Sequence, residues 1–176
     1  VIQMYRIIEH EKIQLPGMMM MDGFYLSHSS EPAEIPDQSE VDDFLPPRKI
    51  LPHVVDPSIQ KTYVRYSLGI VELHTPYRRI FEQTFERAKG IIMNITKEYA
   101  EKFNRDIFGP VEEYKTDGAD VLLITMGSMS TAAKRAVDRL RSKGVDAGLV
   151  RVRFYRPFPA EDIRKTIEKE GVKAIG

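Results

Sequence analysis

Cysteine is absent from this chain of 176 residues. That excludes a disulfide framework, and it excludes cysteine ligation of zinc or of an iron–sulfur cluster by these residues. An excess of either charge is also missing, since 26 acidic side chains balance 26 basic ones. A nucleic-acid binder normally shows a basic excess or stripe, and none is visible, so no nucleic-acid partner is expected. No apolar run approaches the roughly 18 residues of a membrane span. No signal-peptide pattern opens the sequence either. Histidine is sparse, at His10, His28, His53 and His74. Their spacing matches no local metal-ligand motif, so no metal site is expected within the chain.

What is present is ordinary globular composition, 42% hydrophobic and 30% charged, enough for one full core or two small ones. Val1, Met4, Tyr5 and Ile8 fall at helical spacing from the first residue, so residues 1–14 are expected as a helix. Val172 to Ile175 read as the first part of a strand. Both ends therefore read as those of a fragment, or of the ordered part of a longer chain.

The most informative stretch is Leu15 to Pro47, LPGMMMMDGFYLSHSSEPAEIPDQSEVDDFLPP. Its apolar run, Met18 to Met21, lies between Pro16-Gly17 and Asp22-Gly23. A short apolar run between breakers predicts a buried strand over Leu15 to Met21, although periodicity alone does not separate it from a buried helical turn. A long segment without helical or strand period follows. Residues 29–60 hold prolines at 32, 36, 46, 47, 52 and 57. Proline lacks a donor and biases its predecessor toward extended geometry, so regular structure is not expected there. Compact domains keep long irregular loops mainly where they serve a site or an interface.

The clearest helix is expected from Thr75, with Thr75 as cap and Pro76 at the first helical position. Its apolar stripe runs Phe81, Phe85, Ala88, Ile92, Ile95, Tyr99, Phe103. Roughly 28 residues at 1.5 Å each give a rod of about 42 Å. Such a rod either crosses a domain or subunit boundary or lies across its own core. Gly109-Pro110 and Gly118 mark residues 109–118 as a linker.

A β-α-β-α-β pattern follows, which predicts a parallel sheet with right-handed crossovers. Asp120 to Met126 is a near-continuous apolar run, as in a strand covered on both faces. Gly127-Ser128 turns the chain. Ser130 or Thr131 is expected to cap a helix carrying Ala133, Ala136, Val137 and Leu140, which ends by Gly144. Ala147 to Phe154 is the next strand. Glu161 and Asp162 open another helix, with Ile163 and Ile167 inward, that ends by Gly171.

Three groups of residues are candidates for chemistry. Asp22, Ser27, His28 and Glu31 follow the expected first strand, and ligands collect past strand carboxyl ends in open α/β sheets. A histidine near carboxylates suits acid–base work. Equally, Asp22-Gly23 serves as a turn and His28 as a loop anchor. Gly127 and Ser128 sit where free N–H groups of a helix N-terminus attract anions. The same arrangement is an ordinary turn, and no GxGxxG or GxxxxGK[ST] accompanies it. Arg151 and Arg153 share one strand face, opposite Val150, Val152 and Phe154. With Arg156, they call for an interface or for ion pairing with acids more than for substrate binding.

The motifs DGFYLSH, EP.EIPDQ and FLPP in the 15–47 stretch are similar to those of the α subunit of 2-oxoacid:ferredoxin oxidoreductases, the pyruvate synthase group. The resemblance continues through GPVEEY at 109–114, TMGSM at 125–129 and RVRFYRPFP at 151–159, and so covers nearly the whole chain. It implies an α/β fold. Residues 1–108 would be the end of a thiamine-pyrimidine-type domain with its proline-rich segment and long helix. Residues 119–176 would be the first half of a transketolase C-terminal-like parallel-sheet domain. It implies an enzyme that oxidatively decarboxylates a 2-oxoacid, pyruvate foremost, to acyl-coenzyme A and passes electrons to ferredoxin. It implies thiamine diphosphate and magnesium at an interface with a partner subunit, and iron–sulfur clusters on other subunits only. The implied partners are β-, γ- and δ-type subunits in a cytoplasmic hetero-oligomer, with ferredoxin and coenzyme A engaged through the complex. The residues that contact substrate and pyrimidine are not among the motifs here, no GDG motif occurs, and this fragment alone is expected to be inactive. Other readings of the same α/β pattern are a transketolase, a 2-oxoacid dehydrogenase β-type subunit, and a non-catalytic assembly module.

Overall fold

The computed structural model describes residues 1–48, 71–106, 109–168 and 171–176. The proline-rich segment beyond residue 48, with Pro52 and Pro57, lies outside the described residues. The order is α1 (Ile2–Ile8), α2 (Gln38–Phe44), α3 (Val71–Phe103), β1 (Val111–Tyr114), β2 (Val121–Met126), α4 (Met129–Arg141), β3 (Ala147–Val152), α5 (Ala160–Ile167) and β4 (Ala174–Ile175).

The first part packs on α3. Ile7, Ile13 and Phe44 bury against Ala88, Ile92 and Ile95, with Tyr99 and Phe103 partly buried beside them. Phe44 meets Tyr99 and Phe103 edge-on, with centroids 5.6 and 5.5 Å away. This is the favoured aromatic geometry. The expected stripe on α3 is therefore the buried one from Ala88 onward, whereas Phe81 is exposed. Gln3 also donates to Thr96 at 2.7 Å, which fixes α1 across the rod.

Four expectations for this part are corrected. Leu15 to Met21 form no strand, and Met18 to Met21 are exposed. The run is apolar but has no ladder partner, because the described sheet is built from residues 111–175. Residues 38–44 form a helix inside the segment expected to be irregular. Between Pro36 and Pro46 no proline intervenes, the Glu40 carboxylate accepts from the Asp37 N–H at 3.2 Å, and Phe44 has a core to enter. Among the described residues α3 is already helical at Val71, ahead of Thr75, so Thr75 is not its cap. Its 33 residues span about 50 Å. Pro76 lies inside the helix and withholds one i→i−4 bond there.

The second part is a four-stranded sheet in the order β1-β3-β2-β4. Strand β2 is parallel to both β3 and β4, as the β-α-β-α-β pattern requires. Helix α4 packs on one face through Val137, Ala133 and Leu140 over Ala147, Leu149 and Leu123. Helix α5 packs on the other through Ile163 and Ile167 over Leu122, Val150 and Val152. Strand β3 is thus covered on both faces, which explains its near-continuous apolar run. Gly148 allows the close approach of the chain before β2: a Cβ there would lie 2.7 Å from the Lys115 carbonyl oxygen.

Two expectations are corrected here. Residues 109–118 are not a plain linker, since Val111–Tyr114 form β1, antiparallel to β3. Its polar sequence suits an edge strand. Ser130 and Thr131 lie inside α4, and the N-cap is Ser128. Gly127, at φ +67, provides the left-handed turn that lets α4 begin so close to β2.

Candidate functional site

Strand β2 continues into α4 on one face, and β3 continues into α5 on the other. The chain therefore diverges to opposite faces just past the carboxyl ends of two neighbouring parallel strands. That divergence is the topological switch point at which open α/β sheets present ligand crevices. Gly127 and Ser128 form its β2 side; Arg153 and Phe154 form its β3 side.

Two candidates that are far apart in sequence meet here. The Ser128 hydroxyl donates to the Asp22 carboxylate across 106 positions. Asp22 is half-buried. Its charge faces the amino end of α4, where a carboxylate is stabilised by about 0.3–1 kcal/mol. Below it, the Thr125 hydroxyl donates to the buried Ser130 hydroxyl at 2.9 Å, which ties the first turn of α4 to β2. The end of this helix is thus already served by a carboxylate of the same chain.

The other loop candidates stay apart from this contact. Ser27 accepts from the Phe24 N–H at 2.8 Å and lies 2.8 Å from His28 Nδ1. His28 stacks on Phe24 with centroids 5.3 Å apart. The group is exposed, and no hydrogen bond links Asp22 to His28 or Glu31 among the described residues. Glu31 is exposed as well.

The arginines divide. Arg151 pairs with Glu112 at 3.2 Å, and Lys134 of α4 donates to the same carboxylate. Glu112 is directly opposite Arg151 in the β1–β3 ladder, so both side chains share the α4 face. Burial by itself would raise the Glu112 carboxyl. The Lys134 hydrogen bond and the charges of Lys134 and Arg151 outweigh that and hold it below its ordinary value. Arg153 is lowered, first by desolvation and then by the charge of Arg151. Arg156 turns away from this face: it pairs with Glu82 of α3 at 3.4 Å and covers the Phe85 ring at 4.2 Å. Sequence reasoning missed Glu112. Its signal was the EE pair in a short polar segment ahead of an arginine-bearing strand.

Two depressions complete the geometry. A cleft of about 210 Å³ separates α3 from the β3–α5 turn, lined by Met93, Pro110, Phe154, Pro157 and Asp162. An open apolar groove of about 520 Å³ lies along α5 beside Ile124, Met126, Val152 and Phe158. Among the described residues no group of three or more His, Asp or Glu is placed to hold a metal ion. The Asp22 carboxylate lies at the amino end of α4, on the Ser128 hydroxyl.

Residues 119–175 match the family described as pyruvate:ferredoxin oxidoreductase core domain II. The chain is 36% identical over 172 residues to pyruvate synthase subunit PorA of Methanothermobacter thermautotrophicus, which covers 97% of this chain and 44% of that protein. It is 32% identical over 188 residues to the α subunit of NADH-dependent phenylglyoxylate dehydrogenase of Aromatoleum evansii (98% of this chain, 42% of that protein). It is 34% identical over 170 residues to ketoisovalerate oxidoreductase subunit VorA of Pyrococcus abyssi (94% and 41%). The chain spans less than half the length of the curated relatives it matches.

Proposed function

We propose, from the membership of this chain in the 2-oxoacid:ferredoxin oxidoreductase family, that it is part of an α subunit that oxidatively decarboxylates a 2-oxoacid to acyl-coenzyme A. The carrying observation is 36% identity to a pyruvate synthase subunit across 97% of the chain. The names of the relatives support the substrate class. Pyruvate, phenylglyoxylate and ketoisovalerate differ in side chain but share the 2-oxoacid group. Pyruvate is the substrate we favour. In this reading residues 1–108 close a thiamine-pyrimidine-type domain and residues 119–176 begin a transketolase C-terminal-like domain.

Thiamine diphosphate supplies the carbanion chemistry when bound. It and its magnesium would be held outside the described residues, at the interface with a β-type partner. Electrons would leave through iron–sulfur clusters on other subunits to ferredoxin; these 176 residues offer no cysteine to ligate one. The role of these residues is to position. Asp22 and Ser128 pin the 15–36 segment to the switch point. The Glu112 network sets the pitch of α4 against β1 and β3. Arg156 joins the sheet to α3. The complex would be cytoplasmic.

A second reading, a non-catalytic assembly module, draws on the exposed apolar side chains Met18 to Met21, Phe24, Tyr25 and Ile35. Anaerobic purification of the whole complex separates the two. A brown, cysteine-rich partner with stoichiometric thiamine diphosphate supports the oxidoreductase. A colourless assembly without the cofactor supports the module.

A further inference from the structure

The chain has eight methionines, and their distribution is uneven. Met4 and Met93 are half-buried. A Cβ built at Gly17 would lie 2.7 Å from the Met4 sulfur, and one at Gly109 would lie 3.2 Å from the Met93 sulfur, so both thioethers are packed. The other six are exposed: Met18 to Met21 between 56% and 78%, Met126 at 41% and Met129 at 68%. Three of the six adjoin one contact, and Met18 to Met20 lead up to it in sequence. Met21 precedes Asp22, and Met126 and Met129 bracket Gly127-Ser128, so the Asp22–Ser128 hydrogen bond draws the two groups together. Without cysteine, thioethers are the only sulfur this chain offers to an oxidant.

We propose that this methionine cluster is a reversible oxidation site, and that its conversion to sulfoxide by peroxide releases the 15–36 segment from the switch point. The thioether lone pair attacks a peroxide oxygen. An S–O bond forms, the O–O bond breaks, sulfur loses two electrons, and the departing hydroxide takes a proton to become water. The product is polar and a strong hydrogen-bond acceptor. Placed beside Asp22 and Ser128, it competes for the Ser128 hydroxyl and for the N–H groups at the start of α4. At its start the segment is held by Leu15, packed on the core, and by Gly17 beside Met4 and Ile8. Beyond residue 17 its other described side-chain tie is the Glu34–Arg105 pair at 2.8 Å. An exposed pair of this kind contributes little.

The protein, isolated with its partner chains, is treated with hydrogen peroxide, and sulfoxides are mapped by peptide mass spectrometry. Met18 to Met21 and Met129 should oxidise ahead of Met4 and Met93. Chymotryptic nicking at Phe24 to Leu26 should then rise by about fivefold, the population change expected for loss of one part-buried hydrogen bond. Methionine sulfoxide reductases should restore the original rate. The D22A protein, which has no acceptor for the Ser128 hydroxyl, should nick fast before treatment and gain little from it. The M18L/M19L/M20L/M21L/M126L/M129L protein, altered only at exposed positions, should not respond to peroxide. The proposal is overturned if Met18 to Met21 oxidise no faster than Met93, if nicking is unchanged after oxidation, or if the leucine variant responds as the parent does.

Discussion

Replacing Glu112 by glutamine tests whether the carboxylate organises α4 against the edge of the sheet. The side chain of Glu112 is only 10% exposed, whereas Lys134 and Arg151 are 33% and 37% exposed. E112Q keeps the shape and removes the charge, so two cations are left facing each other beside Arg153. Hydrogen bonds to charged groups contribute about 1.5–3 kcal/mol each. Removal of one partner of a fully buried pair costs about 3–5 kcal/mol. Because both cations are a third exposed, solvent screens part of this, and a loss of about 2–3 kcal/mol is expected. At about 2–4 °C per kcal/mol for a chain of this size, Tm should fall by roughly 4–12 °C. Calorimetry of the parent and E112Q proteins at pH 7 measures it. The pH dependence adds a second arm. The folded value of Glu112 is depressed below the ordinary 4.5, so its stabilisation is present above that value and is lost as pH falls through the folded value. The two proteins should therefore converge in acid. A Tm difference under 1 °C at pH 7, or one that persists unchanged in acid, refutes the reasoning.

Leu122 is fully buried under α5, and L122A should cost about 2–5 kcal/mol, read as a lower urea midpoint at unchanged slope. G148A should be harsher than its one methyl suggests, because the new Cβ meets backbone rather than a flexible side chain; little soluble protein, or a Tm loss well above that of a surface G23A control, is expected. S128A removes the only described hydrogen bond of Asp22, so chymotrypsin should nick Phe24 to Leu26 several-fold faster while the global Tm moves by under about 2 °C.

The parallel unit was legible because each signal was local. DVLLITM is continuous and apolar, Gly127, Gly144 and Gly171 close the elements they follow, and all three adopt positive φ. Met18 to Met21 were misread because apolarity records a preference for burial, not the presence of a neighbouring strand. VEEY was passed over for the opposite reason: two carboxylates look like a linker until β3 supplies Arg151 opposite Glu112. The short helix at Gln38–Phe44 was obscured by the prolines around it, although its capping pair Asp37 and Glu40 was in view. The Asp22–Ser128 contact joins residues 106 positions apart, and no periodicity or spacing rule reaches that far. Each candidate was visible alone; their meeting depends on how the 15–36 segment reaches the carboxyl end of β2.

The central claim, that this chain serves a 2-oxoacid oxidoreductase, is tested most directly by anaerobic viologen-dye reduction with the purified whole complex. Pyruvate, 2-oxobutyrate, 2-oxoglutarate and 2-oxoisovalerate are compared with and without coenzyme A. Reduction that requires both coenzyme A and a 2-oxoacid, fastest with pyruvate, is the result predicted. A complex that contains all its subunits and thiamine diphosphate yet reduces no dye with any of the four acids would contradict the account.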